Sequence, residues 1–156
     1  DALSEREIQQ LRNQVLWPGK RRDIPAVLAA SDIFVLPSAY REGIPRVLLE
    51  AASMALPIIS TDSPGCNEVV TNDVNGILIP AQDTNALING LTQLVSDPQS
   101  RQRFGTNSRK LAIEKFELSV IARQTRLLYE QTLANSSNPE LIKHVISGDL
   151  GSRLHV

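Results

Sequence analysis

The sequence predicts an α/β fold in which a parallel sheet is flanked by helices. Three observations carry that expectation. Short uninterrupted apolar runs, Ile33-Phe34-Val35-Leu36 and Pro57-Ile58-Ile59-Ser60-Thr61, are bounded by Asp32, Pro37 and turn residues, as strands buried on both faces of a parallel sheet are. A helical segment opening at Pro45 separates them, giving strand, helix, strand in sequence order. Strong helix starts follow: Asp83, and Asp97 with Pro98 at the next position. Alternation of strands and helices in one half of a chain argues for parallel pairing.

The elements follow in order. Ser4 with Glu7 three residues on is a capping box opening a helix over residues 4–13, with Ile8 and Leu11 on its buried face. Val15-Leu16-Trp17 reads as a short strand with Trp17 in the core, closed by Pro18-Gly19. Asp23 is placed to cap a helix that has Pro25 in its first turn and runs to Ala30. The strand at 33–36 follows, then a helix with Pro45 at its first position that continues to Ala55 and buries Val47, Leu48, Ala51 and Ala52. After the strand at 57–61, Pro64-Gly65 turns the chain into a short helix over Asn67–Val70. Asn75-Gly76 is a tight turn before the strand Ile77-Leu78-Ile79. Three helices follow. The first carries Leu87, Leu91 and Leu94, the second Phe104, Leu111 and Phe116, and the third, over 119–133, is anchored by Ile121, Leu128 and Tyr129. The expectation is four strands and six or seven helices. Residues 1–134 form one domain, and 135–156, opening on Asn135-Ser136-Ser137-Asn138-Pro139, form a linker and tail.

Composition narrows the function classes. With 156 residues and 42% hydrophobic content the chain is long and apolar enough for a core. No run approaches the roughly 18 apolar residues that a membrane-spanning helix needs. A net charge of -1 gives no reason to expect nucleic acid as a partner. A lone cysteine, Cys66, fits a reducing cytosol and reads as a packed residue, having no histidine beside it.

The chemistry is concentrated in residues 31–50. Ligands of open α/β sheets bind at the carboxyl ends of strands. The loop from Pro37 to Ile44 lies at such an end and leads into a helix N-terminus, where unpaired N–H groups and the helix dipole favour an anion. Gly43 lets the backbone approach a ligand closely, and the N–H groups of Arg46 and Val47 are open. Glu42 precedes the helix, and Glu50 lies about 7.5 Å along its axis from Pro45. A diphosphate at the helix end would set its sugar near Glu42 and its ribose near Glu50, each carboxylate accepting from hydroxyls. Arg41, Arg46 or the Lys20-Arg21-Arg22 cluster would offset the repulsion between carboxylate and phosphate.

This pattern resembles the retaining glycosyltransferase family 4, whose GT-B fold pairs two Rossmann-like domains. The likeness is to the C-terminal, donor-binding domain. It rests on Glu42 and Glu50 as the family's Glu-x7-Glu, on Ala30 to Ser38, on Pro57 to Val70 with Gly65-Cys66-Asn67-Glu68, and on Asn75 to Pro80 with Asp83. It extends over about residues 15–133. Glu42 to Glu50 looks most like the bacterial capsule and lipopolysaccharide branch. The resemblance implies a nucleotide-sugar donor, commonly a UDP-sugar, and a glycan or lipid-linked acceptor held by an N-terminal domain that would precede Asp1. It assigns Glu42 to the donor sugar, where catalysis occurs, Glu50 to the ribose, and the backbone of Gly43, Ile44, Arg46 and Val47 to the diphosphate. The loop at Gly19 would meet the base. It implies no metal and no cofactor, a cytoplasmic location at the inner face of the membrane, and self-association through the surface left bare. Ala55 stands where the family often has glycine, a difference expected to affect packing alone.

Plainer readings remain beside these. Glu42 alone would pass for a helix-capping acid, Glu50 for a solvated helix residue, and Lys20, Arg21 and Arg22 for a solvated loop. A non-catalytic nucleotide or sugar-phosphate binding module would use the same helix end, and a phosphorylase dependent on pyridoxal phosphate would need a cofactor lysine, for which Lys20, Lys110, Lys115 and Lys143 offer no pocket context.

Overall fold

The computed structural model describes residues 5–11, 14–40 and 43–134. Expectations resting on Ser4, Arg41, Glu42 and the 135–156 tail lie outside the described residues. The described elements are α1 (Glu5–Leu11), α2 (Ile24–Ala29), β1 (Phe34–Leu36), α3 (Arg46–Ser53), β2 (Ile58–Thr61), β3 (Gly76–Ile79), α4 (Thr84–Ser96), α5 (Pro98–Phe116) and α6 (Leu118–Ala134). The three strands form a parallel sheet in the order β1-β2-β3, with Phe34 opposite Ile58 and Ile58 opposite Gly76. The expected α/β class is what forms.

Alternation along the strands divides the core between the two faces of the sheet. Phe34, Leu36, Ile58 and Leu78 face Leu48, Ala51 and Ala52 of α3, together with Val69 and Val70. Val35, Ile59, Ile77 and Ile79 face Leu94 of α4 and Phe104 of α5. Fully buried side chains such as Ile59, Leu94 and Phe104 contribute about 1.5–3 kcal/mol each. The Asn75 amide closes the loop into β3: it accepts from the Thr71 N–H at 2.7 Å and donates to the Val69 carbonyl at 2.9 Å. The tight turn therefore lies over 71–75, and Gly76 already belongs to the strand.

Several expectations are corrected. Val15-Leu16-Trp17 is not a strand, and Trp17 is no core residue: Leu16 is 89% and Trp17 64% exposed. A strand exists only with a neighbour to pair with, and none of the described strands lies beside this segment. β1 is half-buried because its outer edge carries no described partner. Leu11, expected on a buried face of α1, is exposed. Asp23 precedes α2 without capping it, since its carboxylate is taken by Arg21, whose Nε donates to Oδ1 at 2.7 Å. That hydrogen bond lowers the Asp23 pKa and raises that of Arg21. Residues 64–69 form consecutive turns and Val70 follows them, so no helix forms over 67–70. Ile121, Leu128 and Tyr129 do not anchor α6, for all three are exposed. By contrast, Asp83 and Asp97 cap as expected, accepting from the N–H groups of Ala86 at 2.9 Å and Ser100 at 3.0 Å. Hydrogen bonding with Ser100 holds the Asp97 carboxyl below its ordinary range.

Ala55 differs from expectation in backbone as well as packing. Its φ is 58°, in the left-handed region. The Ala55 N–H donates to Ala52 O and the Leu56 N–H to Ala51 O, both at 3.1 Å, which is a Schellman ending for α3 with buried Leu56 as its apolar contact. An alanine at that position carries a steric penalty that glycine does not. Ala55→Gly is therefore expected to stabilise the domain by about 0.5–1 kcal/mol, after the greater freedom of glycine in the unfolded chain is subtracted. Urea unfolding of the two chains checks this, and a lower midpoint for Ala55→Gly would show that the left-handed strain is absent.

Candidate functional site

The register aligns the carboxyl ends of the strands, Leu36, Thr61 and Ile79, along one edge of the sheet. The chain leaves β1 at Pro37 and reaches α3 through an exposed loop that includes Gly43 and Ile44. Pro45 is the N-cap of α3, with φ -65° and ψ 120°, so the first helical residue is Arg46 and not Pro45 as expected. This keeps the helix end open. The Leu48 N–H donates to Pro45 O at 3.0 Å, while the N–H groups of Arg46 and Val47 meet no acceptor among the described residues. Two outward donors at the positive end of a helix dipole suit an anionic group.

Arg46, Leu49, Glu50 and Ser53 recur at helical spacing on one flank of α3, and that flank lines a groove of about 550 Å³. Arg109, Phe116 and Glu117 of the α5 region form its opposite wall. Glu50 is half-buried, and among the described residues its carboxylate makes no ion pair or hydrogen bond. Arg46, one turn earlier on the same flank, does not pair with it. Arg109 is held by a hydrogen bond from Nη1 to the Ser53 carbonyl at 2.7 Å. The groove thus offers two open carboxylates, Glu50 on α3 and Glu117 on the opposite wall, together with the guanidinium groups of Arg46 and Arg109 and the apolar surface of Leu49, Ile113 and Phe116. A carboxylate so placed accepts from hydroxyls, and the arginines suit phosphate.

The structure brings two of the expected residues, Arg46 and Glu50, onto this groove. Val47 sits half-buried on the same helix, and Gly43 and Ile44 lie in the loop ahead of it. Gly19 is exposed with φ 70° and does not line the groove. Glu42, expected to be catalytic, lies outside the described residues. Sequence reading missed Arg109 and Phe116. Their only local signal is helical spacing on α5, which says nothing about the element they face. Lys20 and Arg22 are exposed, as a solvated loop requires. Cys66 is buried, as expected of a packed residue. Among the described residues no cluster of histidine, cysteine, aspartate or glutamate has the arrangement of a metal site, and no helix is long and apolar enough to cross a membrane.

Known proteins share this architecture. The chain is 36% identical over 125 residues to the UDP-Gal:alpha-D-GlcNAc-diphosphoundecaprenol alpha-1,3-galactosyltransferase of Escherichia coli, covering 80% of this chain and 32% of that protein. It is 32% identical over 121 residues to the N,N'-diacetylbacillosaminyl-diphospho-undecaprenol alpha-1,3-N-acetylgalactosaminyltransferase of Campylobacter jejuni, covering 78% of this chain and 32% of that protein. The crystal structure of Anabaena HepE in complex with UDP superposes with a TM-score of 0.75 at 28% identity, over 84% of this chain and 35% of that one. The chain thus spans about a third of the length of these relatives. Its structural neighbours are GT-B glycosyltransferases. Residues 3–111, well over half the chain, match the family described as Glycosyl transferases group 1, and with an open helix end and the Glu50 groove on the matching domain, the chain belongs to that family.

Proposed function

We propose that these residues form the donor side of a retaining glycosyltransferase that moves a sugar from a UDP-sugar to a glycan or lipid-linked acceptor. The observation that carries the reading is the unpaired Glu50 carboxylate on the α3 flank, one turn from Arg46 and the open N–H groups. In this reading Glu50 accepts from the ribose hydroxyls, while the N–H groups of Arg46 and Val47 and the backbone of Gly43 and Ile44 hold the diphosphate. Glu42 contacts the hydroxyls of the donor sugar, and the loop at Gly19 lies toward the base. Support for UDP comes from the E. coli relative, whose name specifies UDP-Gal, and from the UDP held by HepE. Support for a lipid-linked acceptor comes from the diphosphoundecaprenol named for both bacterial relatives.

The bond from the anomeric carbon to the diphosphate oxygen breaks, and its electron pair leaves with UDP. The acceptor oxygen forms the new bond on the same face and passes its proton to the leaving phosphate. Helix dipole and guanidinium groups stabilise the charge that develops there, so no metal or cofactor is required in this scheme. The acceptor is held by residues other than those described, and the whole protein works in the cytoplasm at the inner face of the membrane. Residues 1–134 act as the donor domain and 135–156 as linker and tail. The exposed apolar residues of α6 favour self-association of the chain in isolation.

Titration calorimetry with UDP tests the assignment. Glu50→Ala is expected to weaken UDP by about 1.5–3 kcal/mol, the range for a charge-assisted hydrogen bond. The exposed Glu68→Ala is expected to have no effect, and EDTA should leave both results unchanged. Glu42→Gln should spare UDP affinity and lower the transfer rate in a longer protein carrying these residues. Unaltered UDP affinity in Glu50→Ala removes the ribose role, and preference for GDP or ADP removes the base assignment.

A further inference from the structure

Asn107, Ser108 and Arg109 follow one another on α5, and each donates to a backbone carbonyl outside its own helix. Asn107 Nδ2 meets Val74 O at 2.7 Å, Ser108 Oγ meets Asn75 O at 3.0 Å, and Arg109 Nη1 meets Ser53 O at 2.7 Å. The first two pin α5 to the loop entering β3, and Ser108 is fully buried. The third crosses to the last residue of α3. Gly105, one turn earlier on α5, lies against the same end: a Cβ there would stand 2.2 Å from Ala55 O. Thus α5 grips the carboxyl end of α3 at two points while being tied to the β3 loop at two others.

The carboxyl end of α3 needs that grip. The last four carbonyls of a helix lack donors within it. Here Glu50 O accepts from the Met54 N–H at 3.1 Å and from Ser53 Oγ at 2.7 Å. Ala51 O accepts from the Leu56 N–H and Ala52 O from the Ala55 N–H, both at 3.1 Å. Ser53 O is left, and the residue four positions on is Pro57, which has no N–H. The Arg109 guanidinium takes that place, where a cation also meets the negative end of the helix dipole. The other end of α3 is not tied, since Pro45 offers no side-chain cap. Of the three buried side chains of α3, two belong to Ala51 and Ala52, which are too short to resist rotation about the helix axis. Glu50 stands on the outward flank, less than one turn before Ser53, and lines the groove with Arg109. Rotation of α3 would carry its carboxylate sideways across that groove.

We infer that Arg109 is a positioning residue for Glu50, which rests on the ribose role proposed for that carboxylate. The bond from Arg109 to Ser53 O fixes the turn of α3 that carries Glu50, and so the place where Glu50 meets the ribose. Arg109 does not hold the diphosphate in this scheme. Ser53 lies about 10.5 Å along the helix axis from Arg46, at 1.5 Å per residue, and the Arg109 guanidinium is bound at that far end.

The test is a double-mutant cycle in UDP affinity, measured by NMR titration of the 156-residue chain with Arg109→Met, Glu50→Ala and the pair. Arg109 is exposed, so Arg109→Met is expected to fold. It should weaken UDP by about three- to tenfold in the parent chain and have no further effect in Glu50→Ala, as expected of residues that act through one another. Arg109→Lys, which keeps a charged donor, should recover affinity to within about twofold of the parent. Without UDP, the amide signals of Glu50 and Ser53 should move in Arg109→Met and return toward their parent positions in Arg109→Lys. Signals that stay in place in Arg109→Met overturn the positioning role. A lower urea midpoint with unchanged UDP affinity does so too, since Arg109 would then serve stability alone. An equal loss of affinity in both backgrounds also overturns it, because it marks a contact between Arg109 and UDP itself. Unchanged affinity in Glu50→Ala removes the ribose role and this one with it, whereas a loss in Glu50→Ala with none in Arg109→Met removes the positioning role alone.

Discussion

Gly76→Ala is expected to lower the stability of the domain by about 3 kcal/mol or more. A Cβ at Gly76 would stand 2.1 Å from the Ile58 carbonyl oxygen and 2.9 Å from a Val70 methyl group. Ile58 belongs to the central strand, is fully buried, and is paired on both sides. Its carbonyl cannot withdraw without breaking a ladder, so β3 would have to move, carrying the carboxyl edge with it. The comparison that isolates the cause is Gly90→Ala. There the new methyl group meets Ile59 and Ile77 at 3.5–3.6 Å, which is ordinary contact, and alanine is the better helix former by about 1 kcal/mol. One substitution at two buried glycines should move the urea midpoint in opposite directions. Equal midpoints for Gly76→Ala and the parent chain would mean that β3 is not pinned against β2 as described.

What was legible in the sequence divides along physical lines. The runs around β2 and β3, the apolar face of α3 and the caps at Asp83 and Asp97 depend on local spacing, and all appear as expected. Val15-Leu16-Trp17 has good strand composition, but a strand depends on a neighbour and composition does not say whether one is present. The α6 helix was readable as a helix because that pattern is local. Its anchors were not, because burial depends on which surface it meets. Asp23 had the right chemistry for a cap and lost its carboxylate to Arg21, two residues away. The site divides in the same way. The seven residues between Glu42 and Glu50, with Arg46 between them, mark one helix flank, and the structure places Arg46 and Glu50 on a groove. Arg109 is 56 positions from Ser53, whose carbonyl it binds, and no local pattern connects the two.

The 156 residues purified alone are expected to bind UDP but to transfer sugar at about a thousandth, or less, of the rate of a complete relative such as the E. coli galactosyltransferase. Holding donor and acceptor in near-attack geometry lowers a barrier by up to about 7–11 kcal/mol, and about 4 kcal/mol corresponds to a thousandfold. The described residues supply surface for one reactant. The Glu50 groove opens along the side of α3, and Arg46 is exposed to water. Charge on a departing diphosphate would therefore be stabilised against a high dielectric, where each contact counts for less. The chain also spans only about a third of the relatives' length. A radiolabel assay over a panel of UDP-sugars, scoring both transfer and donor hydrolysis, decides the matter. Hydrolysis without transfer would show that these residues activate the donor by themselves. Transfer at the relative's rate would place the acceptor site within these 156 residues.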